Sequence, residues 1–110
     1  MPRAGRNEVV VIMWRDIPAQ VNGQSGRDRH QVTLAARFQR AIDRAKRKAH
    51  IVTAHEDVAQ WRRVSTPCDG DVAAAAETAA RELARQYPED RLGKIAFNGG
   101  FEPASDSAAD

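Results

Sequence analysis

The apolar positions in the first part of the chain follow the pattern of β-strands. Residues 8–14 form a nearly continuous, β-branched apolar run, which predicts a strand in the middle of a sheet. Residues 17–21 alternate more loosely between apolar and polar side chains, with Pro18 near the start and the turn signals Asn22-Gly23 and Ser25-Gly26 behind. This second segment is expected to be an edge strand paired with the first.

Three later segments show signs of helices. Residues 30–49 place apolar side chains at three- and four-residue steps and arginines on another face, which predicts an amphipathic helix. Thr53 and Glu56 have the spacing of a capping box and predict a second helix that runs to about Arg63. An alanine-rich third helix is expected over residues 72–87, because acidic residues that can cap it come directly before.

The last apolar run predicts a strand at residues 94–97. The order β-β-α-α-α-β implies an α+β fold, a small, mainly antiparallel three-stranded sheet with helices packed on one face. A chain of 110 residues encloses one hydrophobic core, so residues 7–100 are expected to form a single domain. Residues 1–6 and the acidic tail 101–110 are poor in apolar side chains and are expected to be disordered.

Charge is distributed unevenly along the chain. Residues 27–48 carry eight basic and two acidic residues, a net +6, whereas the residues from His55 onward carry eleven acidic and six basic ones, a net −5. The predicted first helix presents Arg37, Arg40, Arg44 and Arg47 on one face, and this face is a candidate partner-binding surface. Nucleic-acid binding by this face is the weaker interpretation, because no aromatic side chains alternate with its arginines.

Several classes of protein are disfavoured by what the sequence lacks. No run of about 18 apolar residues is present to span a membrane, and no apolar leader follows the N-terminus, so a cytoplasmic location is expected. The single cysteine, Cys68, has no partner within the chain for a disulfide, and the histidines lack the spacing of a metal site. Without a phosphate loop, a dinucleotide motif or a catalytic triad, the sequence implies no metal, no particular cofactor and no catalytic residues.

The clearest candidates for ligand binding lie where the first strand ends. The Arg15 guanidinium could hold a carboxylate or phosphate through two parallel hydrogen bonds, and Asp16 could orient it. Gln20 offers both a donor and an acceptor, and Trp14 could stack on a planar ligand. The alternative is structural, because charged residues at strand ends commonly pair with neighbouring elements.

The same stretch carries a family resemblance. The segment Trp14–Val21 (WRDIPAQV), the helical pattern of residues 37–45, Trp61-Arg62-Arg63 and Asn98-Gly99-Gly100 resemble the small bacterial virulence-factor domain family. The resemblance covers most of residues 8–97. It brings no settled catalytic mechanism, and it implies an accessory role beside enzymes of folate- and corrinoid-dependent methyl transfer.

Two functional hypotheses follow, together with a weaker third. The first is a non-catalytic accessory or protein-interaction module, whose partner would be a folate or methyl-transfer enzyme by the resemblance. The second is a domain that binds a small anionic ligand, such as a folate-like molecule or a carboxylate, at Arg15 and Asp16. The third is the nucleic-acid-binding protein already disfavoured above.

Overall fold

The structure, a computed structural model that describes residues 7–103, is an α+β domain. Four strands form its sheet, one more than the sequence predicts, and four helices accompany them. In chain order the elements are β1 (Asn7–Trp14), β2 (Ile17–Ser25), β3 (Asp28–Thr33), α1 (Ala36–Lys48), α2 (Ala54–Val58), β4 (Trp61–Pro67), α3 (Val72–Gln86) and α4 (Glu89–Phe97).

The sheet has the order β3-β2-β1-β4, and every neighbouring pair is antiparallel. The central position predicted for β1 is confirmed. The edge position predicted for β2 is wrong, because β3 pairs with its other side from Gln20 to Ser25. Pro18 lies outside that pairing, so its missing N–H removes no hydrogen bond to β3. The register with β1 shifts at this point, because Ile12 faces Gln20 and Met13 faces Pro18.

The long helix predicted from residue 30 begins later in the structure. Residues 28–33 instead form β3, which follows β2 through a tight turn with Gly26 at φ +60°. Its side chains alternate between exposed and half-buried at the edge of the sheet, which is a strand period that the neighbouring helical pattern obscures. The helix itself, α1, begins at Ala36 and buries Phe38 and Ile42.

Two further predictions are wrong: part of a predicted helix is a strand, and a predicted strand is part of a helix. The helix predicted through Arg63 ends at Val58, and Trp61–Pro67 is a strand that pairs with β1 over its whole length. The strand predicted at residues 94–97 is the end of α4, whose first turn carries Glu89 and Asp90. Acidic residues stabilise the N-terminal end of a helix, and α4 buries its apolar side chains against α1.

The third predicted helix is confirmed as α3. The carboxylate of Asp71 accepts hydrogen bonds from the backbone N–H groups of Ala73 and Ala74, at 2.9 and 3.3 Å. The start of α3 lies directly on β2, where Gly23 leaves no room for a side chain. A Cβ at Gly23 would stand 2.3 Å from the backbone oxygen of Val72.

The sheet, α1, α3 and α4 share one hydrophobic core. Its largest side chains come from the end of β1, the start of β2, α1 and α4, and the alanines of α3 let that helix approach closely. Fully buried among them are Trp14, Ile17, Phe38, Ile42, Leu92 and Ile95. The core therefore lies under the strand end that carries the candidate ligand residues.

The predictions of disorder for residues 1–6 and for most of the acidic tail, residues 104–110, fall outside the described residues. Within residues 7–103, no helix is long and apolar enough to cross a bilayer.

Candidate functional site

The turn between β1 and β2 consists of Arg15 and Asp16, and it is fastened to the end of the described chain. Arg15 adopts φ +53°, in the left-handed region that favours glycine. Its Nε donates to Oε1 of Gln60 at 2.9 Å, and its Nη1 donates to the carbonyl of Gly99 at 2.7 Å. The backbone N–H of Asp16 donates to the carbonyl of Gly100 at 2.8 Å. The turn therefore holds together segments that are distant in sequence.

Two aromatic rings enclose the Arg15 guanidinium. Its carbon lies 4.5 Å from the centre of the Phe101 ring and 5.1 Å from that of Trp14. At these distances the cation is attracted by the ring faces. Gly100 makes this packing possible, because it has φ +101° and a Cβ there would meet Cζ3 of Trp14 at 2.7 Å.

The Asp16 carboxylate has two partners. One oxygen accepts from Nη2 of Arg62 at 3.2 Å, and the other accepts from the backbone N–H of Glu102 at 2.8 Å. Arg62 also donates from Nε to the carbonyl of Arg15, at 3.2 Å. Arg62 therefore joins the β1–β2 turn to β4.

A second polar centre lies beside this turn and consists of Trp14, Lys46, Asp57 and Trp61. The Asp57 carboxylate accepts from the indole N–H of Trp14 at 2.9 Å and from Nζ of Lys46 at 2.9 Å. The indole N–H of Trp61 donates to the other oxygen at 3.4 Å. We call this group the tryptophan cluster.

Electrostatics stabilise the charged form of Asp57. The hydrogen bond from Lys46 lowers the pKa of this carboxyl, partial burial opposes that effect, and the two indole donors lower the pKa further. Asp57 is therefore an anion that anchors α2 to β1, and it is not poised to carry a proton near neutral pH.

The structure brings Trp14, Arg15 and Asp16 together and leaves Gln20 outside their contacts. Trp14 is fully buried, so its ring faces are not open to a planar ligand. Gln20 is half-buried and pairs through its backbone with Ile12 and Thr33. Within residues 7–103, the side-chain oxygens of Asp16 and two nitrogens of Arg15 all have protein partners.

The four arginines predicted to form the face of α1 divide into two groups. Arg37 is half-buried and donates to the carbonyls of Ala84 and Tyr87, at 2.8 and 3.2 Å, so it caps the end of α3. Arg40, Arg44 and Arg47 are exposed. Of the exposed ones, Arg40 lies 3.8 Å from a carboxylate, that of Glu89.

A groove with a volume of about 650 Å³ runs between α3 and the side of the sheet formed by β1 and β4. Helix α3 packs on β1, β2 and β3, so β4 extends beyond the helical layer and is exposed along its whole length. The floor of the groove is apolar, and the part of its lining that residues 7–103 supply includes three acidic residues and no basic ones. The lining is formed by Val9, Val11, Thr66, Pro67, Cys68, Asp69, Asp71, Ala74, Ala75, Thr78, Ala79 and Glu82.

This groove and the tryptophan cluster are not predicted from the sequence, because both depend on β4. Once Trp61 is placed on a helix, its pairing with Trp14 and its approach to Asp57 are lost. The signal that could have found β4 is the stretch Val64-Ser65-Thr66 before Pro67, where β-branched residues precede a residue that ends strands.

These features define a class, an α+β domain with an antiparallel sheet whose first turn is fastened by arginine to a C-terminal glycine pair. The family model described as "Virulence factor" matches residues 12–96, well over half of the chain. The protein belongs to that family, as its resemblance implied. No curated protein and no solved structure matches the chain.

Proposed function

We propose that the protein is a non-catalytic interaction module, which binds an amphipathic helix of a partner protein in the groove between α3 and β4. The observation that carries the proposal is the unequal cover of the sheet. Helices pack on three strands, and the half-buried Val11 and Ala79 leave an apolar groove open beside an exposed β4. An open apolar surface of this kind is typical of interaction sites.

The shape of the groove favours a helix as the occupant. Small side chains, Ala74, Ala75 and Ala79, form the wall on the α3 side, and small residues let a second helix approach closely. Packed helices lie about 8–10 Å apart, so a helix beside α3 would continue the helical layer over β4. Binding of this type requires apolar residues at three- and four-residue steps in the partner.

The acidic side chains of the groove indicate which residues should flank the apolar face of the partner helix. Asp69, Asp71 and Glu82 lie in the lining, and no lysine or arginine of residues 7–103 does, although the whole chain carries a net charge of +2. Basic residues beside the apolar face of the partner helix would meet these carboxylates. The resemblance makes a folate- or corrinoid-dependent methyl-transfer enzyme the first partner to test.

The proposal is tested by blocking the groove with a large side chain and by cross-linking the partner segment that binds there. Ala75→Trp should abolish partner capture from native cells and binding of the neutral apolar dye Nile red, while Ala73→Trp, outside the groove lining, should keep both. A bifunctional reagent attached at Cys68, inside the groove, should cross-link the partner through a helical segment with basic flanks. Retention of partner and dye by a folded Ala75→Trp variant would refute the proposal.

The exposed arginines of α1 are a second contact proposed for the same module. Arg40, Arg44 and Arg47 would attract an acidic surface of the partner and speed its encounter. Reversal of Arg40 and Arg44 to Glu should slow association and reduce its salt dependence without a change in melting temperature. If the double variant binds at the wild-type rate at every salt concentration, this face is not a contact.

The second candidate function is binding of a small anion at Arg15. The observation that favours it is a guanidinium held between two rings, with Nη2 making no hydrogen bond to any of residues 7–103. Folate and a simple carboxylate, such as acetate, are suitable probes. A thermal shift with these probes that is lost in Arg15→Lys would support the candidate, and no shift in wild type would remove it.

A further inference from the structure

The two edges of the sheet differ in how they are protected. The β3 edge carries Asp28 and Arg29, and its His30 contacts Glu77 of α3 at 3.1 Å. The β4 edge has seven residues in continuous register with β1, and none of the helices in residues 7–103 packs closely on it. Of its two arginines, Arg62 is already paired with Asp16. An exposed edge of this length is a template for another strand.

Hydrogen bonds at both ends of β4 show which of its backbone groups face outward. The N–H of Cys68 donates to the carbonyl of Asn7 at 3.1 Å, and the N–H of Arg15 donates to that of Gln60 at 3.0 Å. Both pairs continue the β1–β4 register, and hydrogen-bonded pairs alternate with non-hydrogen-bonded ones along an antiparallel ladder. Arg62, Val64 and Thr66 therefore direct their N–H and C=O groups towards β1. The groups of Trp61, Arg63 and Ser65 face away from the sheet.

We infer that a second copy of this chain pairs with β4 about a two-fold axis at Val64, which joins the two sheets into one of eight strands. In this register Arg63 of one copy faces Ser65 of the other, and each can exchange both backbone hydrogen bonds with its partner. Trp61 faces Pro67, which has no N–H but can accept through its carbonyl. In this register the outward N–H groups of Trp61, Arg63 and Ser65 all find an acceptor, and the carbonyl of Trp61 is left to solvent because Pro67 has no N–H.

The side chains suit the same register. Val64 meets its own copy in a non-hydrogen-bonded pair, where Cβ atoms lie about 4.5–5.5 Å apart. The valine is 40% exposed in the single chain, and so an apolar group is covered at the centre of the interface. Arg62 faces Thr66 and Arg63 faces Ser65, so neither arginine lies directly opposite an arginine. The pairing is independent of the groove proposal, because it uses the edge of β4 and that proposal uses the face beside α3.

Light scattering and a strand variant test the inference. The wild type should have twice the mass of the 12.1 kDa chain at high protein concentration and dissociate on dilution. Ser65→Pro removes an outward N–H and no bond to β1, so this variant should keep the helical and sheet spectrum of the wild type and be monomeric. Gln31→Pro is the matched control, because it removes an outward N–H from the opposite edge strand β3, and it should leave the dimer intact.

Disulfide trapping tests the register of the two β4 strands without a proline substitution. In a Cys68→Ser background, Val64→Cys should form a covalent dimer under mild oxidation, because the two sulfurs would face each other across the axis. Thr66→Cys should not cross-link with itself, but should cross-link when mixed with Arg62→Cys. A monomeric wild type at all concentrations would overturn the inference. A dimer that Ser65→Pro leaves intact, or equal trapping at residues 64 and 66, would overturn it as well.

Discussion

Trp14 and Asp57 are joined by a hydrogen bond of 2.9 Å between the indole N–H and the carboxylate, across 43 positions of sequence. The bond links the end of the central strand to the short helix α2. Lys46 of α1 lies on the same carboxylate oxygen at 2.9 Å. Three elements, β1, α1 and α2, thus meet at one charged group.

Asp57→Asn should lower the free energy of unfolding at pH 7 by about 1 kcal/mol, because a charged acceptor for three donors is lost at a partly exposed position. The pKa of Asp57 is lowered in the folded protein below its ordinary value of 3.8. The stabilisation is therefore full above the unfolded pKa and is lost as the pH falls through the folded pKa. Urea unfolding of both proteins between pH 7 and pH 2 should show the two stabilities converge in acid. An equal difference at every pH would contradict the role given to the charge.

The contacts of Arg15 predict that Arg15→Ala loses about 2 kcal/mol of stability, from two hydrogen bonds and the ring contacts. Arg15→Gly loses the same contacts but relieves the positive φ at this turn, and should be about 1 kcal/mol more stable than Arg15→Ala. Chemical denaturation of the two variants measures the difference. If alanine and glycine are equivalent, the backbone at Arg15 is not strained.

A side chain at Gly23 should destabilise the protein through a steric clash and not through backbone strain. Gly23→Ala should cost at least about 2 kcal/mol, because the new Cβ would meet the rigid carbonyl of Val72 and push α3 from the sheet. Gly93→Ala, inside α4, is the matched control. It meets only a flexible Arg44 nitrogen at 4.0 Å and should stabilise the protein by about 0.5–1 kcal/mol. Thermal melts of both variants should move in opposite directions, and a harmless Gly23→Ala would contradict the close contact.

Arg37 and Arg40 lie three residues apart on α1 and should behave differently. Arg37→Ala leaves two carbonyls at the end of α3 without their donor and should cost about 1–2 kcal/mol. Arg40→Ala removes an exposed ion pair at 3.8 Å and should change stability by less than about 0.5 kcal/mol. The two urea midpoints provide the comparison, and equal midpoints would show that Arg37 does not cap α3.

Local signals predicted some elements well and others poorly. β1 has a long β-branched run and α3 has an aspartate cap, helix-forming alanines and a following Pro88, so both were predictable. β4 is exposed on an edge and has little apolar pattern to mark it. The short apolar run before Asn98 fits either a strand or a helix, and only its packing on α1 decides.

The candidate site was also predictable only in part. The position of Arg15 and Asp16 at a strand end followed from the sequence. Their partners did not, because Gln60 and Gly99 are 45 and 84 positions from Arg15 and only the tertiary fold brings them near. The groove beside α3 depends on which strand lacks a helix, and strand order is not encoded in any local pattern.

The hydrogen bonds from the β1–β2 turn to Gly99 and Gly100 determine when this turn can complete its folding during synthesis of the chain. The first hairpin leaves the ribosome early. The carbonyls that accept the hydrogen bonds of its turn are synthesised about 85 residues later. Until then, Arg15 has a strained backbone without these hydrogen bonds. At about 5–20 residues per second, that delay is several seconds in the cell. Nascent chains halted before residue 99 should therefore expose Trp14 to a quencher, and those released beyond residue 100 should bury it.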